Sequence, residues 1–199
     1  MRMRLLLISD IESEYIWDYF DPSAFSGVGA VISSGDLKRQ YLEFLACMIP
    51  APLFYVPGNH DKYFAGNPPL GCIPLDGRVE EYLGLRLCGL GGCKSGAPGV
   101  VYEYNESEML RKTKKLMKKI KKRGGADIFV THAPSRGLGD GDDSFHHGFR
   151  SFYSILDEFA PRLHVFGHQH RGYKRSGAAP EFYRTTRLVN AFGYKLIDI

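Results

Sequence analysis

Five places in this 199-residue sequence end an apolar run on side chains that can ligate a metal or move a proton. Residues 5–9 run into Asp10, and residues 30–34 into Gly35-Asp36. Residues 53–56 run into Pro57-Gly58-Asn59-His60-Asp61, and residues 128–131 into His132. Residues 164–166 run into Gly167-His168-Gln169-His170. Carboxylates and carbonyls are hard oxygen donors, and imidazole suits transition metals. Gathered in one crevice, such groups repel one another or lie unsatisfied unless a cation fills the space between them. The chemistry they could do is therefore metal binding, with proton transfer from a histidine beside the ligands.

The elements that must position these residues follow from the same pattern. Short continuous apolar runs are typical of strands buried on both faces, beneath helices. In such α/β sheets ligands bind beyond the carboxyl ends of the strands, where all five runs deliver their polar residues. Pro57 cannot continue a central strand, and Gly58 turns the chain without a side-chain clash. Helical spacing predicts helices over 14–20, 38–48, 106–123 and 148–159. In the second, Tyr41, Leu42, Leu45 and Met48 share a face, and Cys47 reads as a core position. Asn105 is placed to cap the third, and Gly124-Gly125 to end it. Residues 62–78 read as a surface loop, 79–82 and 85–90 as a hairpin, and 182–191 and 194–199 as closing strands. Gly89-Leu90-Gly91-Gly92 lacks phosphate-loop spacing and reads as a strand end passing close to other backbone. The element order predicts an α/β fold: a four-layer α-β-β-α sandwich, two central mixed sheets flanked by helices, in a single domain spanning 1–199.

Composition narrows the class. The formal charge of +4 is local, since residues 111–123 carry nine Lys or Arg and no acid, leaving the remainder net negative. That face is either a solvated helix exterior or an attractor for anions such as nucleic acid or an acidic partner. The sequence has no run of eighteen apolar residues and no signal-peptide pattern, so a cytoplasmic protein without membrane association is expected. The four cysteines, Cys47, Cys72, Cys88 and Cys93, form no CxxC pair and are expected to be reduced thiols.

Asp10-x-Glu12, Gly35-Asp36, Gly58-Asn59-His60-Asp61, His132 and Gly167-His168-x-His170 together resemble the motif series of the calcineurin-like metallophosphoesterases. The resemblance implies a phosphoesterase that hydrolyses phosphodiester or phosphomonoester bonds with water or hydroxide activated by two divalent metals. It assigns Asp10, Glu12, Asp36 and His170 to one metal, and Asp36, Asn59, His132 and His168 to the other, with Asp36 shared. It assigns His60 to protonation of the leaving oxygen. Two positions depart from the family's usual pattern. Glu12 stands where Asp-x-His is usual, and its charge favours Mn or Fe over Zn. Arg39 stands where many members carry an Asp that orients the acid, and is instead a candidate for substrate phosphate. His146, in the long loop after His132, is either a simple loop residue or a group that approaches substrate. His164 reads as a core residue. The partner expected is a small phosphate ester. Two further readings stay open: a nuclease using helix 111–123 as a nucleic-acid track, and a non-catalytic metal-binding scaffold. The sequence leaves the natural substrate and oligomeric state open.

Overall fold

The computed structural model describes residues 3–95, 99–143, 146–170 and 180–199. The chain begins β1 (Arg4–Ser9), α1 (Glu14–Trp17), β2 (Val28–Ser33), α2 (Arg39–Met48), β3 (Leu53–Tyr55) and β4 (Cys72–Pro74). The hairpin β5 (Val79–Tyr82) and β6 (Leu85–Leu90) follows, then β7 (Cys93–Lys94), β8 (Glu103–Tyr104) and the long α3 (Glu106–Lys122). The last third holds β9 (Ile128–Thr131), α4 (Tyr153–Phe159), β10 (Leu163–Phe166), β11 (Phe182–Tyr183), β12 (Thr186–Asn190) and β13 (Gly193–Asp198).

The strands form two large mixed sheets, in the orders β13-β1-β2-β3-β4 and β11-β12-β10-β9-β6-β5, with β7-β8 as a separate pair. Strands β1, β2 and β3 are parallel neighbours in the first sheet. In the second, β6, β9 and β10 are parallel neighbours, so the predicted site residues that follow them leave on one end. Strand alternation then builds three apolar layers. Leu5, Leu7, Ile32 and Val56 meet Leu87, Val130 and Val165 between the sheets. Leu6, Ile8 and Val31 point the other way, under Ile16, Tyr41, Leu42 and Leu45. Cys88, Phe129 and Phe166 lie under Met109, Leu116, Ile120 and Ile155. Each such buried aliphatic side chain contributes about 1.5–3 kcal/mol, which fixes the register that delivers the polar ends. This is the expected four-layer α-β-β-α sandwich.

Several local expectations are corrected. Helix α1 is only one turn, and residues 62–78 contain the edge strand β4. Its Pro74 is tolerated because an edge strand has a side without a partner. Residues 182–191 are two strands of a tight hairpin rather than one. Cys47 is exposed, because it lies two residues from Leu45 and so on the opposite face of α2. Met48 is 43% exposed; the chain becomes extended at Ile49, which is buried in its place. Helix α3 starts as expected: Asn105 Oδ1 accepts from Glu108 N at 3.0 Å, and Asn105 N donates back to Glu108 Oε2 at 2.8 Å, a reciprocal cap.

His164 is a core residue, as expected. Its ring stacks on Phe129 with centroids 4.9 Å apart, and Nε2 lies 3.0 Å from Thr131 Oγ1. The Thr131 hydroxyl donates to Ala133 O at 2.6 Å, so its oxygen accepts from His164 Nε2–H. Nδ1 is left buried without a partner, and burial pushes the imidazole's pKa down to about 3. The unfolded chain binds a proton here near pH 6.5 and the folded chain does not, so stability falls as pH drops through the window from about 6.5 toward 3. His164→Phe keeps the stacked ring and removes the proton site. Urea unfolding from pH 7 to 4.5 should show the variant gaining on wild type by about 1.4 kcal/mol per pH unit below 6.5. Parallel pH curves for the two proteins would contradict this.

Candidate metal centre

Each predicted site residue leaves the carboxyl end of its strand, several of them with an unusual backbone. Asp10, Asp36 and His168 have φ of +66°, +57° and +64°. Left-handed backbone at non-glycine residues costs about 1 kcal/mol or more each and is held only where the surroundings fix it. The surroundings here are specific. His168 N donates to both carboxylate oxygens of Asp10, each at 3.0 Å. His60 N donates to Asp36 Oδ1 at 2.8 Å. Asp61 Oδ2 accepts from Gly58 N and Asp36 N, both at 2.8 Å, and so ties the turn after β3 to the turn after β2. A Cβ on Gly58 would press into the Asp36 carboxylate and stand 2.7 Å from His132 Cε1, which explains the glycine. Gly92 N donates to Pro57 O at 2.8 Å, so the glycine-rich end of β6 backs this turn, as expected.

His132 is fully buried, with Nδ1 2.7 Å from the Ser34 carbonyl, which fixes the ring proton on Nδ1. Its Nε2 therefore points at Asn59 Oδ1, 3.0 Å away, and Asp36 Oδ2, 3.3 Å away. Two acceptor oxygens and a ring nitrogen thus face one point, an arrangement that requires a proton or a metal ion between them. Without a metal, a proton serves. Burial alone would push the His132 imidazolium's pKa down, but the adjacent Asp36 charge, Asp10 and the Ser34 carbonyl raise it to about 9. Burial would likewise raise the Asp36 carboxyl, yet His132 and the His60 amide hold it at about 2. Ligand atoms of Asp36, His132 and His168 lie within 4.8 Å of one another, a group that can hold a metal ion. His170 Nε2 is 3.4 Å from Asp10 Oδ1, a second imidazole–carboxylate pair.

A cavity of about 590 Å³ opens on this group, lined by Asp10, Asp36, Asn59, His60, His168 and His170. His132 is buried and reaches the lining residues Asn59 and Asp36 through Nε2. His60 is at the mouth, its side chain 81% exposed and its Nε2 4.0 Å from Asp36 Oδ2. Glu12 does not line the cavity. Its carboxylate accepts from Lys38 N at 3.2 Å and pairs with Lys38 Nζ at 3.3 Å, at the start of α2 where the helix dipole favours an anion. Arg39 does not line the cavity either; it pairs with Glu43 Oε1 at 2.6 Å and donates to Asn67 Oδ1. The cations of α3 are also absent from the lining. Lys112 pairs with Asp76 at 3.0 Å and Lys121 with Glu158 at 2.7 Å. Lys119, Lys122 and Arg123 line a separate cleft with Arg78.

Sequence reasoning missed Cys93, Lys94, Ser95 and Glu103, which line the cavity from the β7–β8 pair and the residue beyond it. Two-residue strands have no readable periodicity. Asp61 was also missed as the clamp between turns. The available signal was its place at the end of Gly58-Asn59-His60-Asp61, and burial beside Asp36 raises its carboxyl pKa to about 7.

Two mixed sheets between helices, with carboxylates and imidazoles meeting at the strand ends, define a metallophosphoesterase-type sandwich. The chain belongs to the calcineurin-like phosphoesterase family, whose sequence model matches residues 3–172. Among solved structures it is similar to TT1561 of Thermus thermophilus, at 14% identity and a TM-score of 0.64, covering 100% of this chain and 98% of that one. It is also similar to the phosphopantetheinyl hydrolase PptH from Mycobacterium tuberculosis, at 15% identity and a TM-score of 0.58, covering 96% and 89%. No curated protein matches the sequence. Among the described residues no helix is long and apolar enough to cross a membrane.

The Asp61 clamp yields a direct test. Asp61→Ala leaves two amides without their acceptor and should cost about 2–6 kcal/mol in urea unfolding, at about 1–3 kcal/mol per abandoned group. Asp61→Asn retains an acceptor oxygen and should lose less than half as much. Equal losses, or an alanine variant within about 0.5 kcal/mol of wild type, would show that the carboxylate does not hold the two turns.

Proposed function

We propose that this chain is a phosphoesterase of small phosphodiesters that uses two divalent cations. The observation that carries the reading is the convergence of Asp36, Asn59 and His132 lone pairs beside His168. One cation would be held by Asp36, Asn59, His132 and His168, and the other by Asp10, Asp36 and His170, with Asp36 serving both. Mixed oxygen and imidazole sets of this kind suit Mn, Fe or Zn. When bound, two such ions supply Lewis-acid polarisation of the phosphoryl group and an acidified water.

The remaining steps belong to the chain's own groups. Asp36 is held by the His60 amide so that its other oxygen faces His132. The Ser34 carbonyl keeps the His132 proton on Nδ1, so Nε2 is presented to Asn59 and Asp36. His60, at the mouth, is placed to give its proton to the departing ester oxygen. Lys94, which lines the cavity, has its ammonium 3.9 Å from Glu106 and so already partly neutralised, which favours a singly charged diester over a dianionic monoester.

Protein loaded with Mn should hydrolyse bis-p-nitrophenyl phosphate with a higher kcat/KM than p-nitrophenyl phosphate. Asp36→Asn should lower both turnover and bound metal, with turnover down by at least about 100-fold. A preference for the monoester would reverse the assignment of substrate class. Turnover of neither ester by Mn- or Fe-loaded protein would contradict the enzymatic reading.

A further inference from the structure

We propose that His146 is a substrate-contacting residue of this site, bonding an oxygen of the phosphate ester, and that Asp143 and Gln169 are its positioning residues. The inference rests on the phosphoesterase reading.

The loop between β9 and α4 is tied at its base. Phe149 N donates to Pro134 O at 3.1 Å, and Arg136 N to Phe149 O at 3.2 Å. Asp140, 7% exposed, accepts from Gly137 N at 2.7 Å, Gly148 N at 2.9 Å and Arg136 Nη1 at 3.0 Å. The His146 backbone is then held twice: its carbonyl accepts from Gly141 N at 3.0 Å and from Gln169 Nε2 at 2.8 Å. Gln169 is the spacer between His168 and His170. It is buried, and its own carbonyl accepts from Asn190 Nδ2 at 2.7 Å. The residue between two proposed ligands thus fixes the loop histidine to the same frame as those ligands.

The ring is fixed as well. His146 Nδ1 lies 2.7 Å from Asp143 Oδ2, while Asp143 Oδ1 accepts from His146 N at 3.1 Å. The ring centroid is 5.2 Å from that of His168, and His146 lines the 590 Å³ cavity. Nδ1 is engaged by the carboxylate, and the proposed substrate contact is through Nε2. His60 enters from the Asp36 side and His146 from the His168 side, so a phosphoryl group between them meets an imidazole on each flank. A ring locked before substrate arrives loses little freedom on binding.

The test uses the full chain loaded with Mn. Activity on bis-p-nitrophenyl phosphate is read alongside calorimetric binding of inorganic phosphate and bound-metal content. His146→Ala should lower kcat/KM and weaken phosphate binding, each by about 10- to 100-fold, the worth of a hydrogen bond to a charged group. Metal content should stay at the wild-type level. Asp143→Asn and Gln169→Ala should each cost less. The double variant His146→Ala, Asp143→Asn should be no worse than His146→Ala alone, because Asp143 acts through the ring. Both readouts within twofold of wild type in His146→Ala, additive losses in the double variant, or loss of metal from His146→Ala would each overturn the proposal. If wild type hydrolyses no ester, the phosphoesterase reading fails, and the phosphate-binding comparison still decides the role of His146.

Discussion

Asp36 Oδ2, Asn59 Oδ1 and His132 Nε2 face one another across about a hydrogen-bond length at the end of two sheets. In a dry setting three lone pairs do not share such a space without a positive centre. In the protein as folded, the His132 proton serves, which is why the imidazolium is stabilised and the Asp36 carboxyl is depressed together. These are two views of one interaction rather than two contributions to stability. A divalent ion meets the same need with more charge. The rest of the structure can be understood as the means of keeping those donors in place.

Apolar layering does most of that work. Because Leu5, Leu7 and Ile32 are buried toward one side and Leu6, Ile8 and Val31 toward the other, β1 and β2 cannot slip by a residue without turning their side chains to the wrong layer. Asp10 and Asp36 are therefore delivered at fixed heights. The left-handed backbone at Asp10, Asp36 and His168 is then tolerated because hydrogen bonds from neighbouring turns hold each residue. Asp61 joins two of the turns and Gln169 joins a third to the loop bearing His146. The ligand turns form one hydrogen-bonded unit on a rigid frame.

The fold was legible in the sequence wherever burial acts on both faces of a strand. β1, β2, β3, β9 and β10 are read directly from apolar runs, and α3 from its spacing and its Asn105 cap. Elements held by backbone pairing at an edge were not legible. β4 is a half-buried edge strand ending in proline, and β7 and β8 are too short to carry a period. The cavity wall contributed by Cys93, Lys94 and Glu103 was hidden with them. Within the site, residue type and position relative to a strand end picked out Asp10, Asp36, Asn59, His60, His168 and His170, which line the cavity. The contacts Glu12 makes are likewise set in three dimensions. Side-chain direction there follows the charge of Lys38 and the start of α2, neither of which a spacing rule contains. The roles of Asp61 and Gln169 depend on which amides they reach, and that is fixed only in three dimensions.

The central claim is that cations occupy the point where these donors converge. Anomalous diffraction at the manganese edge, from crystals grown with Mn, tests it most directly. The account predicts two peaks about 3.5–4 Å apart, both within bonding reach of the Asp36 carboxylate, one flanked by His132 and His168 and the other by Asp10 and His170. Peaks only elsewhere on the molecule, with Asp36 still paired to a protonated His132, would contradict it.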